Sequence, residues 1–466
     1  MMQPAVCEPA PGTIAQRVAA MVDQVSGGKL RVRPLNVRFW DGSVLPATER
    51  RTVDEPPPTA VVESPLAFSY LMRAPGELGL GRAWVSGAID LQGDLEVVLR
   101  WRTRLREFRL TPAEWLAAAA VGLRASGPAV LRRPPALATE ARPHGARHSL
   151  IRDRQAITHH YDVSNDFYEL ILGPSMVYSC AYYEDPSDTL EVAQARKLDL
   201  ICRKLQLRPG MRMLDIGCGW GSLIIHAARN YGVHTLGVTI SAAQAERARE
   251  RIAGAGLQDR CEVRVADYRE LTNLKFDAIA SVGMYEHVGA EQLATYVRKV
   301  AELLERDGLF LNHGITRLQP GPVKRSKFIA RFVFPDGDLQ PLHELLAVMH
   351  DHGIEVRDVE SLREHYTLTL RAWVRNLELN RERAIQEGGV EHERIWRLYM
   401  TGSAQAFDAG EIAVFQTLTV KRGTNRRLPL ERTRMLAGKG CAGAGPAWDG
   451  AQPAAVRLAR ASLPPF

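Results

Sequence analysis

Long apolar runs are missing from this chain. No stretch of the 466 residues approaches the roughly 20 consecutive apolar residues that a membrane-spanning helix needs. The opening segment, MMQPAVCEPAPGTIAQRVAAMVDQVSGGKL, lacks the basic, then apolar, then small-residue order of a secretory signal. A soluble, cytoplasmic protein is therefore expected. Cysteine is scarce and scattered: Cys7, Cys180, Cys202, Cys218, Cys261 and Cys441 form no C-x-x-C pair. That spacing argues against a zinc site or a disulfide framework, fits a reducing compartment, and leaves no metal to expect. No internal repeat is present.

What the chain has is a basic surplus and enough apolar residues for a large core. Sixty Lys+Arg against 53 Asp+Glu give a net charge of +7, which could serve an anionic membrane surface, nucleic acid or solubility alone. Its placement is more informative. LRWRTRLREFRL (99–110) interleaves Arg100, Arg102, Arg104, Arg106 and Arg109 with Trp101, Leu105, Phe108 and Leu110. Such a pattern suits a lipid headgroup interface, and equally an ordinary solvated helix face.

Three regions follow along the chain. Residues 1–124 carry short strand-like pieces such as LRVRPLNVRFWDGS and then helices, one of them starting at the capping box of TPAEWLAAAAVGLRA. Residues 125–147 are rich in Pro, Ala and Arg, without periodicity, and read as a linker. From 148 to 422, short apolar strands alternate with helical segments, which predicts an α/β domain with a mostly parallel, Rossmann-like sheet behind a smaller α+β and helical amino-terminal domain. Within it, EQLATYVRKVAELLERDG is expected as a helix closed by Gly308. Residues 423–466 are expected to be a disordered tail.

LDIGCGWGS (214–222) falls between a predicted strand and a predicted helix. Gly217, Gly219 and Gly221 allow a sharp turn and a close backbone approach to a ligand. Dinucleotide loops read G-x-G-x-x-G; this one reads G-C-G-W-G with Asp215 before it, so pyrophosphate spacing is absent. The adenosyl and amino-acid parts of S-adenosylmethionine (SAM) fit better. Thr239, Ser241 and Gln244 follow the next strand, where a ribose would lie, and Asp267 with Tyr268 follows the third, where an adenine edge would be met. Trp220 is placed to pack on the same cofactor.

The segments HHYDVSNDFYELILGPSMVYSCAYYED (159–185), LDIGCGWG, GVTIS-x-x-Q, SVGMYEHVG and LNHGIT together resemble the cyclopropane-fatty-acyl-phospholipid synthases, the family that includes the mycolic acid cyclopropane synthases. The likeness covers about 148–422, and the amino-terminal region resembles the extra domain of the longer, phospholipid-acting members. It implies transfer of a methylene group from SAM to the cis double bond of an unsaturated acyl chain in membrane phospholipid. It also implies a bound bicarbonate ion acting as base, peripheral association with the inner face of the membrane, and a possible homodimer.

Carried over residue by residue, the resemblance makes the Cys180 backbone, Glu286, His313, the Ile315 backbone and Tyr366 the ligands of the anion. Glu286 would accept its hydroxyl proton, and His313 and Tyr366 would donate to it. Tyr178 and Ser179 match the cover over SAM, and His160, Tyr161 and Asp162 a segment with a lid or packing role. His287 is expected to support its loop. Taken singly, these residues would read as a core histidine, a packed tyrosine and a solvated glutamate; the joint match assigns them. Ser403 replaces a cysteine found in some members, and Asn312 and Gly314 replace commoner Leu and Thr. Relatives that make 10-methylene fatty acids share much of the pattern, so that outcome of the same carbocation stays open. A nucleic-acid methyltransferase would show a target-base motif such as N-P-P-Y where this chain has SVGMYEHVG, so no nucleic acid is expected.

Overall fold

The computed structural model describes residues 12–26, 33–48, 56–100, 120, 123, 133–149, 152–153, 155–156, 160, 163–320 and 326–436. Two sheets organise them. The amino-terminal sheet contains β1 (Asn36–Arg38), β2 (Val44–Leu45), β3 (Thr59–Val62) and β4 (Ile89–Gln92) in the order β2-β1-β3-β4. Helices Ile14–Ser26 and Leu66–Arg73 close a small core over it from Ile14, Ala15, Phe39, Leu45, Val62 and Tyr70.

The second sheet is the larger. Its strands are β5 (Arg212–Ile216), β6 (His234–Thr239), β7 (Cys261–Val265), β8 (Phe276–Val282), β9 (Leu304–Arg317), β10 (Ile354–Ser361) and β11 (Ile412–Lys421), in the order β10-β11-β9-β8-β5-β6-β7. Only β11 runs antiparallel to its neighbours; the other pairs are parallel. Alternate residues of the inner strands enter opposite cores. Leu214, Ile216, Ile279 and Phe310 pack with the helix Leu293–Leu303, whereas Met213, Ala278, Ala280 and Leu311 pack with the helices Leu190–Lys204 and Ser222–Tyr231. A sheet covered on both faces needs such near-continuous apolar strands. The chain winds from β5 out to β7 on one side, then returns to β8 and β9 on the other. The carboxyl ends of β5 and β8 therefore form the crevice where such sheets take ligands.

Several expectations are revised. The helix expected to run to Gly308 ends at Leu303, and β9 begins at Leu304. A Cβ on Gly308 would come within 2.7 Å of Leu304 Cδ1 and 3.0 Å of the Asp277 carbonyl, so this glycine permits close packing rather than capping a helix. The tail expected from residue 423 includes a short helix, Arg432–Leu436, whose Arg432 donates to Asp358 at 2.8 Å and lies 3.0 Å from Glu360. The linker has no regular element over 133–147 but is pinned at two points: Tyr70 donates to the Pro135 carbonyl at 3.0 Å and Thr139 to Glu391 at 2.8 Å. Most of the arginine-rich segment 99–110 and of the helix predicted from Thr111, together with Tyr161, Asp162 and residues 437–466, lie outside the described residues.

The two regions share a core. Trp84, Val85 and Leu95 pack against Phe328, Phe332, Val333 and Ile395. Trp84 Nε1 donates to the Arg394 carbonyl at 2.8 Å, and the buried Arg394 guanidinium answers to the carbonyls of Trp84 at 2.6 Å and Ile89 at 2.7 Å. Arg394→Ala removes a donor to two enclosed carbonyls and is expected to cost about 3 kcal/mol. Urea unfolding checks this as a lower midpoint at unchanged slope.

Candidate active site

A cavity of about 170 Å³ opens at the carboxyl ends of β5, β6 and β8. The glycine turn after β5 forms one wall. Gly217 sits at φ +84°, and a Cβ there would meet Met284 at 3.2 Å, so the close approach requires glycine. Asp215, Gly217, Gly219 and Trp220 line the cavity with Thr239, Gln244, Asp267 and Tyr268, and Tyr178 and Ser179 cover it. Two residues expected to touch the cofactor do not line it. Gly221, at φ +80°, caps the helix Ser222–Tyr231 against Ala248. Ser241 caps the helix Ala242–Gly254 by accepting from the Gln244 amide. Both hold a helix start that carries lining residues. His287, expected as a loop support, lines the cavity, and burial lowers its pKa to about 4.

Several lining and supporting groups were not singled out in the sequence. Lys197 reaches the cavity from the helix Leu190–Lys204 and donates to Ser179 Oγ at 2.8 Å. Burial lowers its pKa to about 8 and raises that of Asp215, which Lys197 attracts, to about 7. From the same helix Gln194 donates to the Ser179 carbonyl at 2.9 Å, so one helix fixes the cover. Arg251 joins the Trp220 carbonyl at 2.6 Å to the Ser175 carbonyl at 2.9 Å, tying the glycine turn to the cover. Arg269 grips both Asp267 oxygens, at 2.8 and 2.7 Å. One signal was available: Lys197 and Lys204 stand two helical turns apart on the buried face that also carries Ala193 and Leu200.

The second part of the site lies beyond the cavity lining. Glu286 sits in the turn after β8, buried, and its Oε1 accepts the Ile315 amide at 2.7 Å. The Ile315 amide is therefore engaged by Glu286 itself. Glu286 Oε2 and His313 Nε2 are buried and have no hydrogen-bond partner among the described residues. Tyr366 and Cys180 share one buried cluster with Ile315, Trp220 and Trp373. The Cys180 thiol donates to the Ala181 carbonyl at 3.2 Å, and burial pushes its pKa far up, which disfavours the thiolate. Aromatic rings join the two parts: Tyr178 lies 5.3 Å from Trp373 and 5.6 Å from Trp396, and Tyr168 lies 4.9 Å from Trp220. Tyr399, also missed, packs on the same cluster as Tyr178, and burial raises its pKa to about 12.

The sequence profile of the mycolic acid cyclopropane synthetase family matches residues 148–417. The chain belongs to this family. A probable fatty acid methyltransferase of Pseudomonas putida is 39% identical over 393 residues, 83% of this chain and 92% of the relative. The cyclopropane-fatty-acyl-phospholipid synthase of Escherichia coli K12 is 39% identical over 277 residues, 59% of this chain and 69% of the relative. The crystal structure of the mycolic acid cyclopropane synthase CmaA1 complexed with SAH and CTAB is 35% identical, with a TM-score of 0.55, over 57% of this chain and 98% of its own. This family member is an S-adenosylmethionine-dependent methyltransferase.

Burial raises the Glu286 carboxyl from 4.5 to about 7. The sign follows from linkage: between those values the unfolded chain loses this proton while the folded one keeps it, so stability falls as pH rises. Glu286→Gln removes that loss. It is expected to raise the melting temperature above pH 7 and to leave it nearly unchanged below pH 4.5, as scanning calorimetry at the two extremes would check.

Proposed function

We propose that the protein transfers a methylene group from SAM to the cis double bond of unsaturated acyl chains in membrane phospholipids, forming cyclopropane fatty acids. The observation that carries this reading is a pair of enclosed polar atoms, Glu286 Oε2 and His313 Nε2, that lack hydrogen-bond partners among the described residues, with residues flanking Glu286 lining a glycine-walled cavity. An alkene is a weak nucleophile, so it must be held in line with the sulfonium methyl. The alkene electron pair forms the new C–C bond as the S–CH3 bond breaks, leaving a neutral thioether and a cation on the adjacent chain carbon. Loss of a proton from the added methyl lets its C–H pair close the ring. Tyr178, Trp220, Trp373 and Trp396 build apolar walls that keep water from the cation.

The donor set suits a small oxyanion with one hydroxyl. Glu286 Oε2 accepts, His313 Nε2 donates, and Lys197 and Lys204 place positive charge near His313. A bicarbonate held there would supply the base for ring closure. Glu286 would orient its hydroxyl, and His313 and Tyr366 would hold its oxygens, with the Cys180 and Ile315 backbone at the margin. The region through residue 124 would meet the bilayer, with the protein peripheral at its cytoplasmic face. The net charge of +7 supports this, and no described helix is long and apolar enough to cross a membrane.

A second reading is methyl transfer ending in a 10-methylene branch: in the same cation the hydrogen on the methylated carbon shifts with its electron pair to the cationic neighbour, and the added methyl then loses a proton to form the exocyclic double bond. It gains weight because the relatives matched over 83% and 77% of this chain are both named probable fatty acid methyltransferases. Incubation with SAM and vesicles of cis-unsaturated phospholipid, followed by proton NMR of the recovered chains, separates the two. The leading reading predicts upfield ring protons; a new pair of exocyclic =CH2 protons, distinct from the CH=CH protons of the substrate, would favour the branch, and unaltered chains would contradict both.

A further inference from the structure

His313 stands directly opposite Gln416 across the antiparallel pair of β9 and β11, and both are fully enclosed. The Gln416 amide bridges two groups. Lys204 Nζ lies 2.7 Å from its oxygen, and His313 Nδ1 lies 3.2 Å from its nitrogen. An ammonium can only donate, so the amide atom facing Lys204 must be the oxygen. The NH2 group must then face the imidazole, and it too can only donate. His313 Nδ1 is therefore the acceptor and carries no proton. Enclosure and the charges of Lys197 and Lys204 keep the ring neutral, so its single proton resides on Nε2, the nitrogen without a partner among the described residues. Lys204 is held in turn by Glu360 at 2.5 Å, with Asp358 3.8 Å away, and Arg432 clasps both carboxylates.

We infer that the chain Glu360–Lys204–Gln416 is a positioning relay that fixes His313 in the Nε2-protonated tautomer, making it an obligate hydrogen-bond donor towards the reacting side of the site. A histidine free to choose its tautomer could instead present a bare nitrogen there, which would accept and could itself remove protons. Gln416 and Lys204 touch neither the cofactor cavity lining nor, in this account, the substrate; they act through the ring.

The inference rests on the donor role given to His313 above, but its primary test requires no turnover. The full chain, labelled with ring-15N histidine, gives a His313 signal identified by its loss in His313→Gln. The relay predicts a bare Nδ1 and a protonated Nε2 in the parent. A protonated Nδ1 there would overturn it, whatever the variants do. Gln416→Glu places an acceptor opposite Nδ1 and is expected to draw the proton to that nitrogen at alkaline pH. Turnover should then fall about a hundredfold, with the KM for SAM unchanged. An unmoved proton in a folded variant would also overturn the relay. A moved proton with turnover intact would leave the relay standing and remove the donor role instead.

Discussion

Glu286→Ala is expected to abolish product, a loss of at least about a thousandfold in kcat, while the SAM dissociation constant stays within about twofold. The separation follows from place. Glu286 is absent from the cavity lining, whereas its Oε1 holds the Ile315 amide and its Oε2 is buried with no hydrogen-bond partner among the described residues. Alanine removes both oxygens. Glu286→Gln is the sharper variant, since its carbonyl can still accept from Ile315 and only the ionisable oxygen is lost. Because that oxygen is destabilising when charged, the glutamine variant should be less active and, above pH 7, more stable. Turnover by single-turnover assay and SAM binding by calorimetry read the two quantities apart. A glutamine variant that works at the parental rate would remove Glu286 from the chemistry.

Gly217→Val is expected to weaken SAM binding by about a hundredfold or more, roughly 3 kcal/mol. The backbone there is at φ +84°, which a β-branched residue reaches only under strain. Its side chain would also press on Met284, 3.2 Å from the Cβ position, in the cavity wall itself. Gly221→Ala makes the contrast. It too is left-handed, at φ +80°, and its Cβ would meet that of Ala248 at 3.2 Å, but it does not line the cavity. Its cost should fall on stability, with the affinity of the folded protein retained. Equal loss of affinity in both variants would contradict this division.

The comparison of Gly217 with Gly221 also shows where sequence reading reached its limit. Both belong to one G-C-G-W-G turn, and a glycine that admits a ligand is written like one that begins a helix. Ser241 poses the same ambiguity, since a serine after a strand serves ribose contact and N-cap alike. Gly308, at the end of an expected helix, is written like a C-cap; only the approach of Leu304 and the Asp277 carbonyl shows its purpose. The inner strands β5, β6, β8 and β9, by contrast, were legible because a sheet covered on both faces needs near-continuous apolar runs, whereas the edge strand β10 alternates buried and more exposed residues and was not foreseen. The order of strand-end motifs was legible too, each being local. Gln416 and Tyr399 carried no local signal. Gln416 gains its role by standing opposite His313, 103 residues earlier in the chain, and Tyr399 by packing on the cluster that holds Tyr178 from a carboxyl-terminal helix.

The central claim is that a dry pocket at Glu286 and His313 holds an exchangeable oxyanion that takes the proton at ring closure. It is tested most directly by turnover on phospholipid vesicles in buffer stripped of carbon dioxide, followed by titration with bicarbonate. The account predicts that turnover collapses on removal and returns in a saturable way, with SAM binding constant throughout. Full turnover in stripped buffer, unaltered by added bicarbonate, would contradict it.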